Sequence, residues 1–266
     1  MSTAIWKLYA IKYGEHVGRP EGHTYLDGDA NRPGGDLDFF MWVAVGASRA
    51  IVIDTGFTRA TCDALGRTYL MEPAVTLKKL GVDPEAVEDV ILTHAHFDHV
   101  GCLADYPNAQ FHMQDREMLS ITGRDMTHPL LRTAYRAEDT KALIDLVYQD
   151  RLSFMDGDVD LAPGLEGIFV GGHSRGQMAL NVETDRGPVL LASDAIHMYE
   201  EYERERAFRI FWDLREMLEG YRLLRAHCAS DAHMVPGHDP LVAKRYPAVP
   251  GTDGLALDLG QMPSDD

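Results

Sequence analysis

The chain has 266 residues, 45% of them hydrophobic and 25% charged, the make-up of an ordinary globular protein rather than a disordered or membrane-spanning one. Acidic residues outnumber Lys and Arg 42 to 25, a formal net charge of −17, so nuclease and membrane-surface roles lose ground, although a local basic groove stays open. No apolar run approaches the roughly 18 residues of a membrane span, and Cys62, Cys102 and Cys228 are too widely spaced for a C-x-x-C thiolate site or a disulfide framework.

The opening stretch MSTAIWKLYAIKYGEH sets Lys7, Lys12 and Glu15 within a short apolar pattern and shows no secretion leader, so a cytoplasmic location is the expectation. Strands are predicted at 5–13, 38–45 and 50–54, a meander ending in a hairpin. Between the first two, residues 23–36 are rich in Gly, Asn, Asp and Pro and read as a long loop over a site. A helix at 73–80 and a short strand at 89–93 follow. A helix then starts at 103–106, a strand occupies 110–113, and 115 to about 150 is helical or irregular, interrupted by Pro129. Four more strands, at 151–154, 165–170, 179–183 and 188–193, precede a helix at 212–227 and a last strand at 232–235. No repeat or low-complexity tract appears, so the reading is one domain, 1–266. Strands and helices recur in two halves, each ending in a histidine-bearing loop, which predicts an α/β four-layer sandwich of helix, sheet, sheet and helix.

The chemistry concentrates in His94-Ala95-His96-Phe97-Asp98-His99, four nitrogen or oxygen ligands within six positions at a strand end. His94 and His96 share one side of an extended segment, while Asp98 and His99 follow a turn and face a second ion nearby. Imidazoles and carboxylates without thiolates suit Zn, Mn, Fe or Co. Polar residues in a Gly-ended surface loop would be the bland alternative, and their density beside an apolar strand weighs against it.

This H-x-H-x-D-H run resembles the signature of the metallo-β-lactamase superfamily, and other pieces of that pattern stand in order across residues 38–240. They are Asp54-Thr55-Gly56, Gly171-Gly172-His173-Ser174-Arg175-Gly176, Ser193-Asp194-Ala195 and Val235-Pro236-Gly237-His238-Asp239. The resemblance implies that His94, His96 and His173 hold one metal and Asp98, His99 and His238 a second. It further implies that Asp194 bridges the two ions and that Asp54 supports the site from behind. Two divalent ions are implied, zinc first, with Mn, Fe or Co not excluded. A metal lowers the pKa of water from about 15.7 to about 7, so a hydroxide between the ions attacks an ester, lactone, thioester or amide carbonyl.

Within the superfamily the pattern is most similar to the quorum-quenching N-acyl homoserine lactonases, through the long N-terminal loop, the metal run and the Asp-Ala segment. The bridging Asp194 separates it from the true β-lactamases, Ala95 from flavodiiron oxidoreductases, and the roughly 28 residues after His238 from glyoxalase II-like thioesterases with their C-terminal helical domain. Lactone opening is therefore the leading reaction, with N-acyl homoserine lactone the best single substrate. Another lactone, cyclic amide, ester or thioester is the alternative. A non-catalytic metal-binding or sensor protein is the alternative of another class. The partner is a small molecule, without nucleic acid or membrane, and a homodimer is left open.

One departure stands out: lactonases carry Tyr three residues after the bridging Asp, and here that residue is His197, with Tyr199 two further on. His197 or Tyr199 is expected to hydrogen-bond the substrate carbonyl, His197 to protonate the leaving oxygen, and Asp98 to relay a proton. Tyr25, Leu26, Phe39, Phe40, Met198 and Tyr202 are candidate pocket walls. Glu200, Glu201, Glu203 and Glu205, mixed with Arg204 and Arg206, read as a solvated helix face.

Overall fold

In the computed structural model, residues 4–264 are described; Met1–Thr3 and Asp265–Asp266, the two ends of the expected 1–266 unit, lie outside the described residues. The first sheet is built from β1 (Lys7–His16), β2 (Leu37–Val45), β3 (Ala50–Ile53), β4 (Thr68–Tyr69), β5 (Asp89–Ile91), β6 (Gln110–Gln114) and β7 (Leu152–Met155). The second uses β8 (Val159–Ala162), β9 (Leu165–Phe169), β10 (Met178–Thr184), β11 (Gly187–Ser193) and β12 (Met234–Pro236), while β13 (Ala256–Asp258) returns to the first. Their orders are β13-β1-β2-β3-β5-β6-β7, with β4 paired to β1, and β12-β11-β10-β9-β8.

β2, Leu-Asp-Phe-Phe-Met-Trp-Val-Ala-Val, shows why the fold is layered. A nearly unbroken apolar strand must be covered on both faces. Alternate side chains divide accordingly: Phe40, Trp42 and Ala44 enter the core between the sheets, and Phe39, Met41 and Val43 enter a second core on the opposite face. That second core is closed by α2 (Pro73–Lys79) and α4 (Ala137–Tyr148), which pack on β1 and β7. α6 (Leu214–His227) covers the far face of the second sheet through β11. Helix, sheet, sheet and helix therefore stack as expected.

The differences are local. The last long helix starts at Leu214, not 212, because the Asp213 carboxylate accepts the Glu216 N–H at 2.9 Å and caps it. The helix start at 103–106 is a single 3-10 turn, Leu103–Asp105. Residues 115–150 resolve into α3 (Asp115–Ile121) and α4, with Pro129 in the irregular stretch between. The short helices α1 (Arg59–Ala64) and α7 (Leu241–Arg245) and the strands β4, β8 and β13 are additions to the sequence reading, while α5 (Tyr199–Arg204) is the helix that carries the expected acidic face.

Strands β3 and β5 are parallel, as are β11 and β12. Each pair therefore ends on one edge of its sheet, and the loops that leave those ends carry Asp54, His94 to His99, Asp194 and His238.

Trp42 is fully buried between the sheets. Trp42→Ala is expected to lower the unfolding free energy by about 3–5 kcal/mol in urea titration, and an unchanged midpoint would contradict this packing.

Candidate metal centre

The ligand set is prepared by what each histidine does with its other nitrogen. A carbonyl or carboxylate oxygen only accepts, so a ring nitrogen facing one must carry the proton. His173 Nδ1–H donates to the Ile210 carbonyl at 2.9 Å, His238 Nδ1–H to the Asp38 carbonyl at 2.7 Å, and His99 Nδ1–H to Asp54 Oδ2 at 2.7 Å. Each ring is thereby left with a bare Nε2 lone pair aimed inward, the form a metal needs. His94 Nδ1 is held by Thr93 Oγ1 at 3.2 Å, and His96 presents Nδ1, which lies 2.9 Å from His173 Nε2.

These nitrogens fall into two groups of potential ligands, His94, His96, His173 and Asp194, and Asp98, His99 and His238. Asp194 joins them. Its Oδ1 lies 3.2 Å from His99 Nε2 and 3.0 Å from His238 Nε2, while Oδ2 lies 3.2 Å from His173 Nε2 and 3.7 Å from His94 Nε2. Asp98 is 3.8 Å from His99 Nε2 and 3.7 Å from His238 Nε2. His94 Nε2, His99 Nε2 and Asp194 Oδ1 are buried with no hydrogen-bond partner. Orphaned buried polar atoms are costly, and here they converge on one space with a nitrogen and oxygen donor set, so the residues fit two divalent cations.

Charge states agree with that fit. Burial holds His94 and His96 well below the usual imidazole range, and neighbouring imidazoles push the same way. For Asp194, burial acts to raise the carboxyl, but His238, His99 and His197 outweigh it and keep it well below the ordinary range. His99 goes the other way: burial lowers it, but Asp194, Asp54 and Asp98 outweigh burial and hold it well above the usual imidazole range, so a cation that binds there displaces its proton.

The loops are held by Asp54, which was expected behind the site and contacts His99, and by residues the sequence did not single out. Asp54, at φ 60 just after β3, also accepts the N–H and hydroxyl of Thr93, both at 2.8 Å, which ties the β3 and β5 ends together. The Tyr13 hydroxyl donates to the Asp98 carbonyl at 2.6 Å. Glu117, on α3 and fully buried, accepts Ala95 N–H at 3.0 Å, Ser174 O–H at 2.8 Å and Gly176 N–H at 2.7 Å, so one carboxylate joins the first histidine loop to the second. Gly172, at φ 81, lets the second loop pass α6: a Cβ there would meet Met217 N at 2.3 Å.

Beside the ligands lies His197. Its Nε2 is 3.2 Å from Asp194 Oδ2, its Nδ1 3.3 Å from Glu201 Oε2, and its ring stacks on Phe208 with centroids 3.5 Å apart. Burial lowers its pKa, but Glu201 and Asp194 outweigh burial and raise it to about 9. Glu201 is fully buried and also accepts the Tyr221 hydroxyl at 3.0 Å, which corrects its reading as part of a solvated face.

A crevice of about 70 Å³ over the ligands is lined by Phe39, Phe97, Asp98, His197, Phe208 and Ile210, among others. Of the expected wall residues, Phe39 lines it, with its ring centroid 5.4 Å from that of His238. The others are corrected. Phe40 points to the opposite face of β2 and Met198 packs into the inter-sheet core. Tyr25 is buried beneath Arg206, whose guanidinium lies 4.0 Å from its ring centre, and Leu26 is exposed outside the crevice. Tyr202 donates to Asp231 at 2.9 Å, and Tyr199 lies under the Arg245 guanidinium. Both tyrosines line a separate depression because α5 begins at Tyr199 and turns their side chains away, so Tyr199 is not positioned to reach the substrate.

The sequence profile of the family described as the Metallo-beta-lactamase superfamily matches residues 39–226. An N-acyl homoserine lactonase of Bacillus thuringiensis is 28% identical over 228 residues, covering 78% of this chain and 82% of its own. A solved N-acyl homoserine lactone hydrolase with N-hexanoyl-L-homoserine bound at its catalytic metal center aligns with a TM-score of 0.73 at 23% identity, over 90% of this chain and 95% of the other. AidC, a dizinc quorum-quenching lactonase in complex with a product, aligns with a TM-score of 0.72 at 18% identity, over 90% of each chain. At these identities the two solved structures bear on the fold.

Asp194→Asn is expected to reduce bound metal from about two ions per chain to one or none by elemental analysis, because one bridging charge serves both groups; retention of both ions would remove the bridging role. Glu117→Ala leaves two N–H groups and the Ser174 and Tyr135 hydroxyls unsatisfied, so a loss of about 3 kcal/mol in chemical denaturation, with weakened metal retention, is the expected result. Wild-type stability and metal content in that variant would show that the two loops do not depend on it.

Proposed function

The chain belongs to the metallo-β-lactamase superfamily and is a metal-dependent hydrolase of that family, and from this we propose that its reaction is the opening of a lactone ring, with N-acyl homoserine lactone as the best single substrate and zinc as the metal. The observation that carries the reading is the pairing of two buried ligand groups through Asp194 with a sixth buried imidazole, His197, at the crevice wall. Support also comes from curated relatives named N-acyl homoserine lactonase, to which the chain is similar over most of its length.

Bound by the two groups, divalent cations supply an acidified water and a Lewis acid for the carbonyl. The chain's own residues do the rest. Phe39, Phe97 and Phe208 wall the crevice and exclude bulk water, which strengthens every electrostatic contact inside. Glu201 fixes the His197 ring by accepting at Nδ1, and the flat contact with Phe208 prevents it from rotating. His197 Nε2, 3.2 Å from Asp194 Oδ2 at the crevice wall, then donates to the carbonyl oxygen or returns a proton to the leaving alkoxide. Asp98, whose backbone carbonyl is anchored by Tyr13, offers a carboxylate oxygen for proton relay.

The test is turnover of matched lactones, esters and thioesters by metal-loaded protein. Lactones are expected to be fastest; a preference for thioesters, or no turnover of any, would reject the reading in favour of a thioesterase or a sensor. His197→Ala should lower kcat by about 100-fold with metal content intact, the usual contribution of a positioned acid, and undiminished turnover would remove His197 from the chemistry.

A further inference from the structure

The crevice over the ligands adjoins a larger cavity of about 480 Å³, and Arg19, Arg67, His96, His173 and Ile210 line both. The two walls of this outer cavity differ. One is apolar, carrying Leu130, Leu131, Phe211 and Trp212. The other carries the guanidinium groups of Arg19 and Arg67 with the His16 imidazole between them, Arg19 Nη1 3.0 Å from Nδ1 and Arg67 Nη1 3.0 Å from Nε2.

That arrangement is electrostatically incomplete. A neutral imidazole has a single lone pair and a guanidinium has only donors, so His16 accepts from one arginine and meets the other donor to donor. Protonation offers no relief, since it adds a third positive charge. Burial, Arg67 and Arg19 hold His16 down at about 4, and burial with Arg67 brings Arg19 down to about 10. Among the described residues neither guanidinium has a carboxylate partner: Arg19 donates to the Gly35 and His23 carbonyls and Thr24 Oγ1, and Arg67 to the Leu65 carbonyl. The nearest acids are engaged elsewhere, Asp36 with the Arg19 backbone N–H and Asp98 among the metal ligands. Arg67 Nε is buried with no partner at all.

Asp36 and Asp98 act on Arg19 and Arg67 from a distance, but among the described residues no carboxylate touches either guanidinium of this partly buried pair at the mouth of the reactive crevice. Paired positive charge in a half-buried wall is unfavourable unless something negative completes it. We propose that Arg19 and Arg67 form a subsite for a carboxylate carried by the substrate, at the end remote from the bond that is broken. A carboxylate presents one oxygen to each guanidinium and relieves their repulsion. The apolar wall accommodates the chain between the two ends. This deepens the lactone reading, on which it rests: the substrate is a lactone whose side chain ends in a free acid, not one with a wholly neutral acyl tail.

The test compares two lactones identical except that the side chain ends in a carboxylate or in its methyl ester, with metal-loaded wild type, Arg67→Gln, Arg19→Gln and Arg67→Lys. Wild type is expected to favour the acid by about tenfold or more in kcat/KM, expressed mainly in KM. In R67Q and R19Q that ratio should fall towards one, while R67K, which keeps the charge, retains much of it. No preference in wild type, or an undiminished ratio in R67Q, overturns the subsite. If neither lactone is opened, the lactone reading fails by itself, and the subsite is decided by calorimetry with monomethyl glutarate against dimethyl glutarate. The monoacid should bind wild type about tenfold more tightly, and R67Q should lose that margin; contact between an acid and the metals is common to both proteins, so equal margins overturn the subsite.

Discussion

The carboxylate of Asp194 is the contact on which the rest of the centre depends. It stands at the end of β11, almost wholly buried, with His238 Nε2 at 3.0 Å and His99, His173 and His197 Nε2 each at 3.2 Å. An ionised carboxylate costs several kcal/mol to bury, and only opposite charge or strong donors offset that cost. His238, His99 and His197 supply part of that offset, and a cation between the ring nitrogens and the carboxylate would supply the rest. The same geometry makes the site a clamp. His94 and His99 come from the end of β5 in one sheet, Asp194 and His238 from the ends of β11 and β12 in the other, so cations bound by these residues would hold the two sheets together.

How much of this could be read beforehand follows from how local each signal is. The run from His94 to His99 is legible because four ligands crowd into six positions, and its loop is fixed by the strand that precedes it. His173, Asp194 and His238 are separated from it by tens of residues, so only the ordered motifs of the resembled family picked them out. Glu117 and Glu201 were beyond reach. Each is one acidic residue near a helix start, and nothing in its neighbours distinguishes a buried acceptor of several hydrogen bonds from a solvated side chain. Among the wall residues Phe39 reached the crevice and Phe40 did not, for another reason. Phe39 and Phe40 are neighbours on a strand and must face opposite ways, so they could not both meet one crevice, and the period-two geometry of β2 already implied as much.

The long N-terminal loop shows a further dependence. Its middle is pinned by Arg206, which pairs with Glu21 at 2.7 Å, Asp27 at 2.9 Å and Glu200 at 2.8 Å and covers Tyr25. Tyr25 in turn bridges to Phe208, the ring that stacks on His197. The loop and the segment around Phe208 therefore form one wall, and the orientation of His197 is coupled to residues far away in sequence. A lid that opened freely would release Phe208 and with it the imidazole. Of the three acids on the Arg206 guanidinium, Asp27 belongs to the loop, Glu21 to the turn before it and Glu200 to α5, so one side chain ties the loop to both.

The charge distribution sharpens what the wall selects. A net charge of −17 repels an anion at long range, a contribution that salt screens over about 8 Å. Arg19 and Arg67 act at contact distance, inside a half-buried cavity where screening is weak. An anionic substrate therefore gains little from steering and must draw its affinity from the final docked geometry. Such an arrangement discriminates by fit: a diffuse anion is kept out, whereas one whose carboxylate spans the two guanidiniums while its carbonyl reaches the ligands satisfies both ends at once. The distance between the arginine pair and the ligand groups then acts as a ruler for substrate length, and it is set by the register of β1 against β2, since β1 runs into the turn that carries Arg19 and β2 carries the carbonyl that orients His238.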